Sequence, residues 1–266
     1  MSFYFRAGVS LPDDAPDVMR TAAEDFPQNT LAAEEDGVAV GWACHNGMPG
    51  DFRASVFVYV PPERRRCGIG TALLKESFVR MAAKRIETAM THFAEEDGLS
   101  SFARQGGMHF AFRLLHMTYS GGPLPETAVF APYTDMDYPD YQALQSQAFY
   151  DLRRSLDLPP YYMPARAAVR AGMAKTPQAF FVLRDGGQLI AGGSFANGEI
   201  DDVAVLDNYH GRGLGKAVVA HAVNVLLSRG IVPSLDCVEG NPARKLYLGM
   251  GFCTENAQVY YRYSLK

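Results

Sequence analysis

The sequence predicts an α/β protein built from two tandem copies of one domain. Short strand-like runs alternate with helical runs along the 266 residues, which indicates an α/β sheet in each half. A strand followed by a glycine-spaced turn occurs twice, and every matched position is shifted by 145 residues, as from Val58 to Val203. A repeat of this length indicates two domains, because solenoid repeats are much shorter.

The chain divides into two domains around a short linker in this interpretation. Residues 121–126 form the linker, because two glycines and two prolines suit neither a helix nor a sheet interior. We therefore expect an N-terminal domain at 1–120 and a C-terminal domain at 127–266.

The individual elements follow from residue type and from turn signals. β-Branched and aromatic runs bounded by glycine, proline or asparagine predict strands, whereas amphipathic runs predict helices. In the first half the predicted strands are 3–9, 39–44 and 55–60, and the predicted helices are 14–26 and 71–91, the second with a strand emerging at its end. In the second half the predicted strands are 127–133, 180–184, 188–194, 199–205, 233–238 and 258–265, and the predicted helices are 138–156, 165–174, 213–229 and 242–250.

Composition excludes several classes of protein. Hydrophobic residues make up 48% and charged residues 20%, which is enough to bury a core, and the net charge of −4 argues against an extended nucleic-acid surface. No run of about 18 apolar residues predicts a membrane helix, and no secretory signal is evident, so we expect a cytoplasmic protein. The four cysteines form no Cys-x-x-Cys pair, so we expect neither a metal site nor a disulfide framework.

The repeated turn has the properties of an anion site. Gly213 and Gly215 allow backbone N–H groups to approach a ligand closely, because no Cβ intervenes. These donors lie at the N-terminus of a predicted helix, where the helix dipole favours negative charge. Arg212 and Lys216 add cations, so a phosphate or pyrophosphate is the expected guest.

Two other glycine motifs fail at this turn. A Walker A loop requires a glycine where His210 stands and a hydroxyl residue where Ala217 stands. A dinucleotide fingerprint requires Gly-x-Gly-x-x-Gly, and 211–215 has different spacing. The repetition of the turn after a strand in both halves argues against a turn that is merely structural.

The turn resembles a motif of the GCN5-related N-acetyltransferase family, and so does the run 241–252 further along. His210 departs from the glutamine or arginine usual there, whereas Arg65 in the first half keeps the usual type. The resemblance implies two tandem domains, each a mixed, mostly antiparallel sheet flanked by helices with splayed central strands. It also implies acetyl-CoA or another acyl-CoA as donor.

The resemblance further implies which residues hold the donor. In the second half they are Val203, Ala204, Val205, His210, Gly211, Arg212, Gly213, Leu214, Gly215, Lys216, Asn241, Ala243 and Arg244. A possible second site in the first half comprises Val58, Val60, Arg65, Arg66, Gly68, Ile69, Gly70 and Thr71.

Acyl transfer to an amine needs a proton acceptor and benefits from a proton donor for the thiolate. By resemblance, Tyr247 is the general acid and Glu199 the base, although Asp201, Asp202 or a water remain open as the base. Strand alternation places Glu199 and Asp201 on one face and Asp202 on the other. The same 145-residue shift places Ala54, Val56 and Phe57 at the positions of the three carboxylates. Aligning Gly107-Met108 with Gly251-Phe252 places Ala103 opposite Tyr247, so we expect the first half to be a degenerate copy.

The expected function is acetyl transfer to the primary amine of a small molecule or peptide, without metal, nucleic acid or membrane. Two alternatives stay open: a non-catalytic acyl-CoA sensor, and transfer of another acyl group or to oxygen. The acceptor and the oligomeric state are not readable from the sequence.

Overall fold

The computed structural model describes residues 3–266 and divides into two compact units. The first unit runs to Phe112 and includes Gln258–Lys266, and the second is Arg113–Ala257. Two long strands, β6 (His109–Tyr119) and β12 (Phe252–Ser264), contribute to both units.

The first unit is a mixed sheet with helices. Its elements are β1 (Tyr4–Ala7), α1 (Asp17–Asp25), β2 (Leu31–Glu35), β3 (Val38–His45), β4 (Arg53–Tyr59), α2 (Ile69–Ala83), β5 (Thr88–Ala94) and α3 (Ser100–Gln105). The strand order is β1-β2-β3-β4-β5-β12. Neighbouring strands are antiparallel except β4 and β5, which are parallel.

The second unit repeats this plan. Its further elements are β7 (Ala131–Pro132), α4 (Tyr138–Ala148), α5 (Tyr150–Ser155), α6 (Ala167–Lys175), β8 (Phe180–Asp185), β9 (Gln188–Ala196), β10 (Glu199–Val205), α7 (Leu214–Ser228), β11 (Ser234–Val238) and α8 (Ala243–Met250). The strand order is β6-β11-β10-β9-β8-β7, and β10 with β11 is the parallel pair. The mixed α/β fold with two repeats is therefore confirmed.

Tight turns explain the hairpins of both units. The β2–β3 loop is Asp36-Gly37, with φ of 51° and 78°. The β8–β9 loop is Gly186-Gly187, with φ of 54° and 86°, and it joins the two predicted strands 180–184 and 188–194. A two-residue turn with positive φ at both positions matches the twist of the strands that it joins.

Several predicted elements differ in detail. The predicted helix 138–156 is two helices, and the predicted strand 127–133 shrinks to two residues. Strand β2, helix α3 and strand β6 were not predicted. The predicted linker 121–126 lies in no helix or strand, and there the Asn224 side chain bonds both backbone groups of Leu124.

The predicted closing strand 258–265 completes the sheet of the first unit. Seven residues of β12, from Gln258 to Ser264, pair antiparallel with β5. Val259 and Tyr261 of this segment are buried in a core with residues of α2 and α3. The core of the second unit lies instead under α7 and α8 and includes Tyr247.

Candidate active site

The parallel strands separate in each unit just before the glycine turn. In the second unit β10 pairs with β11 only at Glu199 and Ile200. In the first unit the corresponding pairing covers only Arg53–Ser55 with Thr88–Met90. Each sheet therefore opens between its two central strands, at the end where the glycine turn follows.

Both glycine turns have the backbone that an anion cradle needs. Gly213 and Gly68 precede α7 and α2, and each has φ of +80°. This left-handed conformation strains any residue with a Cβ. Neither glycine would bring a Cβ within 4 Å of another group, so the space around each N–H is open to a ligand.

The residue that opens each turn bonds back to the preceding strand. Nε2 of His210 lies 3.0 Å from the carbonyl oxygen of Val205, and Nε of Arg65 donates to the carbonyl oxygen of Val60 at 2.9 Å. These are the same two positions of the repeat. His210 therefore replaces the usual residue while keeping its contact with the strand.

The two cradles differ in how closely a neighbouring side chain approaches the last glycine of the turn, which is Gly70 in the first unit and Gly215 in the second. A Cβ at Gly70 would lie 3.1 Å from the ring of Phe102. A Cβ at Gly215 would meet only a methyl group of Leu246, at 3.9 Å. The second cradle is consequently the roomier of the two.

Basic side chains flank the second cradle. The guanidinium of Arg212 lies 4.7 Å from the ring centre of Tyr209 and donates to the backbone oxygen of Asn208. Lys216 lies in the first turn of α7. Asn241 Oδ1 accepts from the Ala243 N–H at 2.9 Å, at the start of α8.

A β-bulge interrupts β10 at the predicted carboxylates. The pairing with β9 shifts register between Asp201 and Ala204, and Asp202 has φ of 54°. A bulge adds one residue to a strand and thereby re-aims its side chains. Asp201 is exposed and acts on Glu199 and Tyr247, whereas Asp202 is half-buried against Ser194 and Gln145, so the two carboxylates have different neighbours.

Asp202 contacts two buried polar side chains, one on α4 and one on β9. Its Oδ2 accepts from the Ser194 hydroxyl at 3.3 Å, and its backbone oxygen accepts from the Gln145 amide at 2.7 Å. Burial first, and the carboxylate of Asp201 second, raise the pKa of Asp202 to about 6. Near neutral pH the bulge therefore holds a partly buried carboxylate that is ionised at a cost to folding.

Replacing Asp202 with asparagine is expected to stabilise the second unit by about 2 kcal/mol at pH 8. A carboxyl pKa that is higher in the folded chain favours folding at low pH, and that contribution is lost as the pH rises through about 6. The stabilisation should therefore shrink as the pH is lowered to 4.5. Asparagine also tolerates the positive φ of this position.

The free energy of unfolding of the second unit is measured by titration with urea. Reaction of the buried Cys237 thiol with a thiol reagent reports the unfolded fraction. Exposed Glu24, replaced by glutamine, serves as the control. Equal stabilisation at both pH values would show that the charge of Asp202 is not the cause.

Glu199 lies at the start of the opening beside two other carboxylates. Partial burial raises the pKa of Glu199, and the negative charges of Asp236 and Asp201 raise it further. The charge of His116 lowers it. Nδ1 of His116 lies 2.9 Å from Oδ1 of Asp236. Glu199 is thus a better proton acceptor than an isolated glutamate, and its side chain remains exposed to an incoming amine.

Tyr247 lies on α8 within the core beneath the opening. Tyr247 is 8% exposed, and its ring contacts the ring of Phe252 edge-on. Burial first, then Cys237 and Asp201, raise the pKa of Tyr247 above its ordinary value. The hydroxyl therefore stays protonated at neutral pH and is able to donate. The carboxylate of Asp201 raises the pKa of both Tyr247 and Glu199, so it lies near the predicted acid and the predicted base.

The first unit carries aromatic rings where the second carries carboxylates. Phe57, which matches Asp202 in the repeat, contacts the His92 ring edge-on at 5.5 Å. That ring stacks on Tyr260 at 4.9 Å. Ala103 stands opposite Tyr247 and is fully buried. These positions offer no acid–base pair, which agrees with the expectation of a degenerate copy.

Within residues 3–266, no group of three or more His, Cys, Asp or Glu residues is arranged to hold a metal ion. In the same residues, none of the helices has the length and apolar character needed to span a membrane.

Known proteins resemble this chain over nearly its full length. Mycothiol acetyltransferase of Clavibacter michiganensis subsp. michiganensis is 26% identical over 261 residues, which are 90% of this chain and 81% of that protein. A GCN5-related N-acetyltransferase from Sphaerobacter thermophilus has a TM-score of 0.73 at 19% identity and covers 99% of this chain and 96% of its own. A tandem GNAT protein from the clavulanic acid biosynthesis pathway has a TM-score of 0.60 at 16% identity, over 96% and 90% of the two chains.

The family model described as Acetyltransferase (GNAT) family matches residues 2–105 and again 141–252. The two matches cover both halves and well over half of the chain, in agreement with the repeat seen in the sequence. This chain belongs to the GNAT family and is an acetyltransferase.

Proposed function

We propose that the second unit transfers an acetyl group from acetyl-CoA directly to the primary amine of its acceptor. The observation that carries the proposal is the combination of an open cradle with a protonated Tyr247 and an exposed Glu199 in one unit. GNAT acetyltransferases use an acyl-CoA as cosubstrate. The name N-acetyltransferase of the Sphaerobacter thermophilus neighbour supports an acceptor that bears an amine.

The residues at the turn fit the donor. The N–H groups at the start of α7, with Arg212 and Lys216 beside them, would hold the pyrophosphate, and the separated β10 and β11 would offer backbone groups to the pantetheine arm. Glu199, directly or through a water, takes a proton from the ammonium group of the acceptor. The neutral amine then attacks the thioester carbonyl carbon, the C–S bond breaks, and Tyr247 protonates the sulfur of CoA. The surplus proton on the new amide nitrogen returns to the Tyr247 phenolate, directly or through a water.

A matched pair of glycine variants tests which unit performs the transfer. Gly213→Val should lower kcat/KM for acetyl-CoA at least 30-fold, because valine cannot adopt φ of +80° without displacing the N–H groups. Gly68→Val imposes the same strain in the first unit and should change kcat/KM less than threefold. Release of free CoA thiol, measured with a panel of amines, gives both values.

The opposite pattern would place catalysis in the first unit. Binding of acetyl-CoA without thiol release on any amine would favour a sensor over an enzyme that acts on amines. Circular dichroism of both variants separates a local effect on the cradle from loss of the fold.

A further inference from the structure

A cavity of about 540 Å³ lies in the second unit, outside the residues assigned above. It is bounded by α4, α5, residues 162–163 and the turn that follows β10. Its volume is in the range of sites for small molecules. The lining residues used below are Gln142, Gln147, Tyr150, Asp151, Tyr162 and Asp207.

Two tyrosines form an aromatic wall. The ring centres of Tyr150 and Tyr162 are 4.5 Å apart, with an angle of 32° between their planes. Tyr162 is nevertheless 64% exposed, so much of its surface is available to a ligand. The face of an exposed tyrosine attracts a cation or the apolar part of a ligand.

The polar lining offers hydrogen-bond acceptors and negative charge. Gln142 donates to the backbone oxygen of Met163, and Gln147 donates to Asp207 Oδ2, so these amide donors are already used. The carboxylate of Asp151 has no hydrogen-bond partner among residues 3–266. Of the residues that the structure describes, no lysine, arginine or histidine lines the cavity. Such a lining disfavours an anionic ligand and favours a cationic one.

The cavity borders the turn that leads to the cradle. Asp207 is three residues before His210 in the turn that leads to the cradle. Helix α5, which supplies Tyr150 and Asp151, also carries Arg153, whose charge lowers the pKa of Asp202. The same helix therefore borders both the cavity and the carboxylates of β10.

We propose that this cavity holds the body of the acceptor and selects amines that carry a second positive charge. One ammonium group of such an acceptor loses its proton and reacts, while the other stays charged between the carboxylates and the tyrosine wall. This proposal rests on the proposed function, because it assigns the class of acceptor for the same transfer.

The test compares two acceptors of equal length, 1,5-diaminopentane and 1-aminopentane, by release of CoA thiol. The diamine should have a kcat/KM at least tenfold higher in 0.05 M salt, and the advantage should shrink in 0.5 M salt. Asp151→Asn should lower kcat/KM for the diamine about fivefold and leave the monoamine within twofold. Asp140→Asn, an exposed α4 carboxylate paired with Arg184 and absent from the lining, is the matched control and should change neither value.

Calorimetric titration with the diamine in the absence of donor tests binding independently of turnover. Asp151→Asn should weaken the Kd about fivefold, and Tyr162→Leu should also weaken it, whereas Asp140→Asn should not. Equal kcat/KM for both amines would overturn this proposal and leave the proposed function intact. Diamine binding without thiol release would support the cavity and count against the proposed function. Absence of binding, or binding unchanged in Asp151→Asn, would overturn the cavity proposal.

Discussion

Replacing Tyr261 with alanine is expected to destabilise the first unit by about 3–5 kcal/mol, the cost of removing a buried aromatic side chain. Tyr261 is 1% exposed, and its ring stacks on Phe93 and meets Phe110 edge-on. It lies on the β12 segment that pairs with β5, far along the chain from the rest of this unit. A single late residue should therefore control the folding of the early half of the sequence.

Two buried cysteines report on the two units separately. Cys44 lies in the first unit and Cys237 in the second, and burial raises the pKa of their thiols to about 12 and about 11. With exposed Cys67 and Cys253 replaced by serine, labelling by a thiol reagent measures the opening of each core.

Tyr261→Ala should accelerate labelling of Cys44 at least 100-fold, and by more than it accelerates labelling of Cys237. Gln258→Ala, on the same strand but exposed, should have little effect on either thiol. An equal increase at both cysteines would contradict the assignment of this strand segment to the first unit.

Replacing Tyr247 with phenylalanine is expected to lower kcat about 100-fold, a typical contribution of a general acid. The ring is retained, so its packing against Phe252 survives and only the proton donor is lost. Because burial raises the pKa of the hydroxyl, the wild-type enzyme should keep this donor through pH 9. The loss should accordingly be similar from pH 7 to pH 9.

Steady-state release of CoA thiol measures the effect, and Tyr119→Phe is the matched control. Tyr119 also packs against Phe252, but its hydroxyl donates to the backbone oxygen of Gly122. This control should retain kcat within threefold. A Tyr247→Phe variant with unchanged kcat across the pH range would eliminate Tyr247 as the acid.

Local patterns in the sequence were sufficient for the cradle. Glycine at 213 and 68 follows from a backbone that must have positive φ, and this requirement acts on single residues. The hairpin at Asp185-Gly186-Gly187 is predictable for the same reason. Asn241, followed by Pro242, is likewise a local signal for the start of α8.

The β-bulge at Asp202 could not be predicted from strand alternation. An extra residue in β10 has meaning only against its partner β9, where Asp201 and Ala204 change register. Ser194 and Gln145, which hold Asp202, come from two other elements. The pKa of about 6 at Asp202 therefore depends on burial among residues that are distant in sequence.

The sequence by itself determined the α/β class, the internal repeat and the chemical difference between the two halves. The reason is that turns, caps and residue types are properties of short segments. Only the tertiary structure decided that Gln258–Ser264 pairs with β5 and that α5 closes a cavity beside Asp207. Strand partners and cavity walls are chosen by burial and hydrogen bonding between segments far apart in the chain, and no local pattern records that choice.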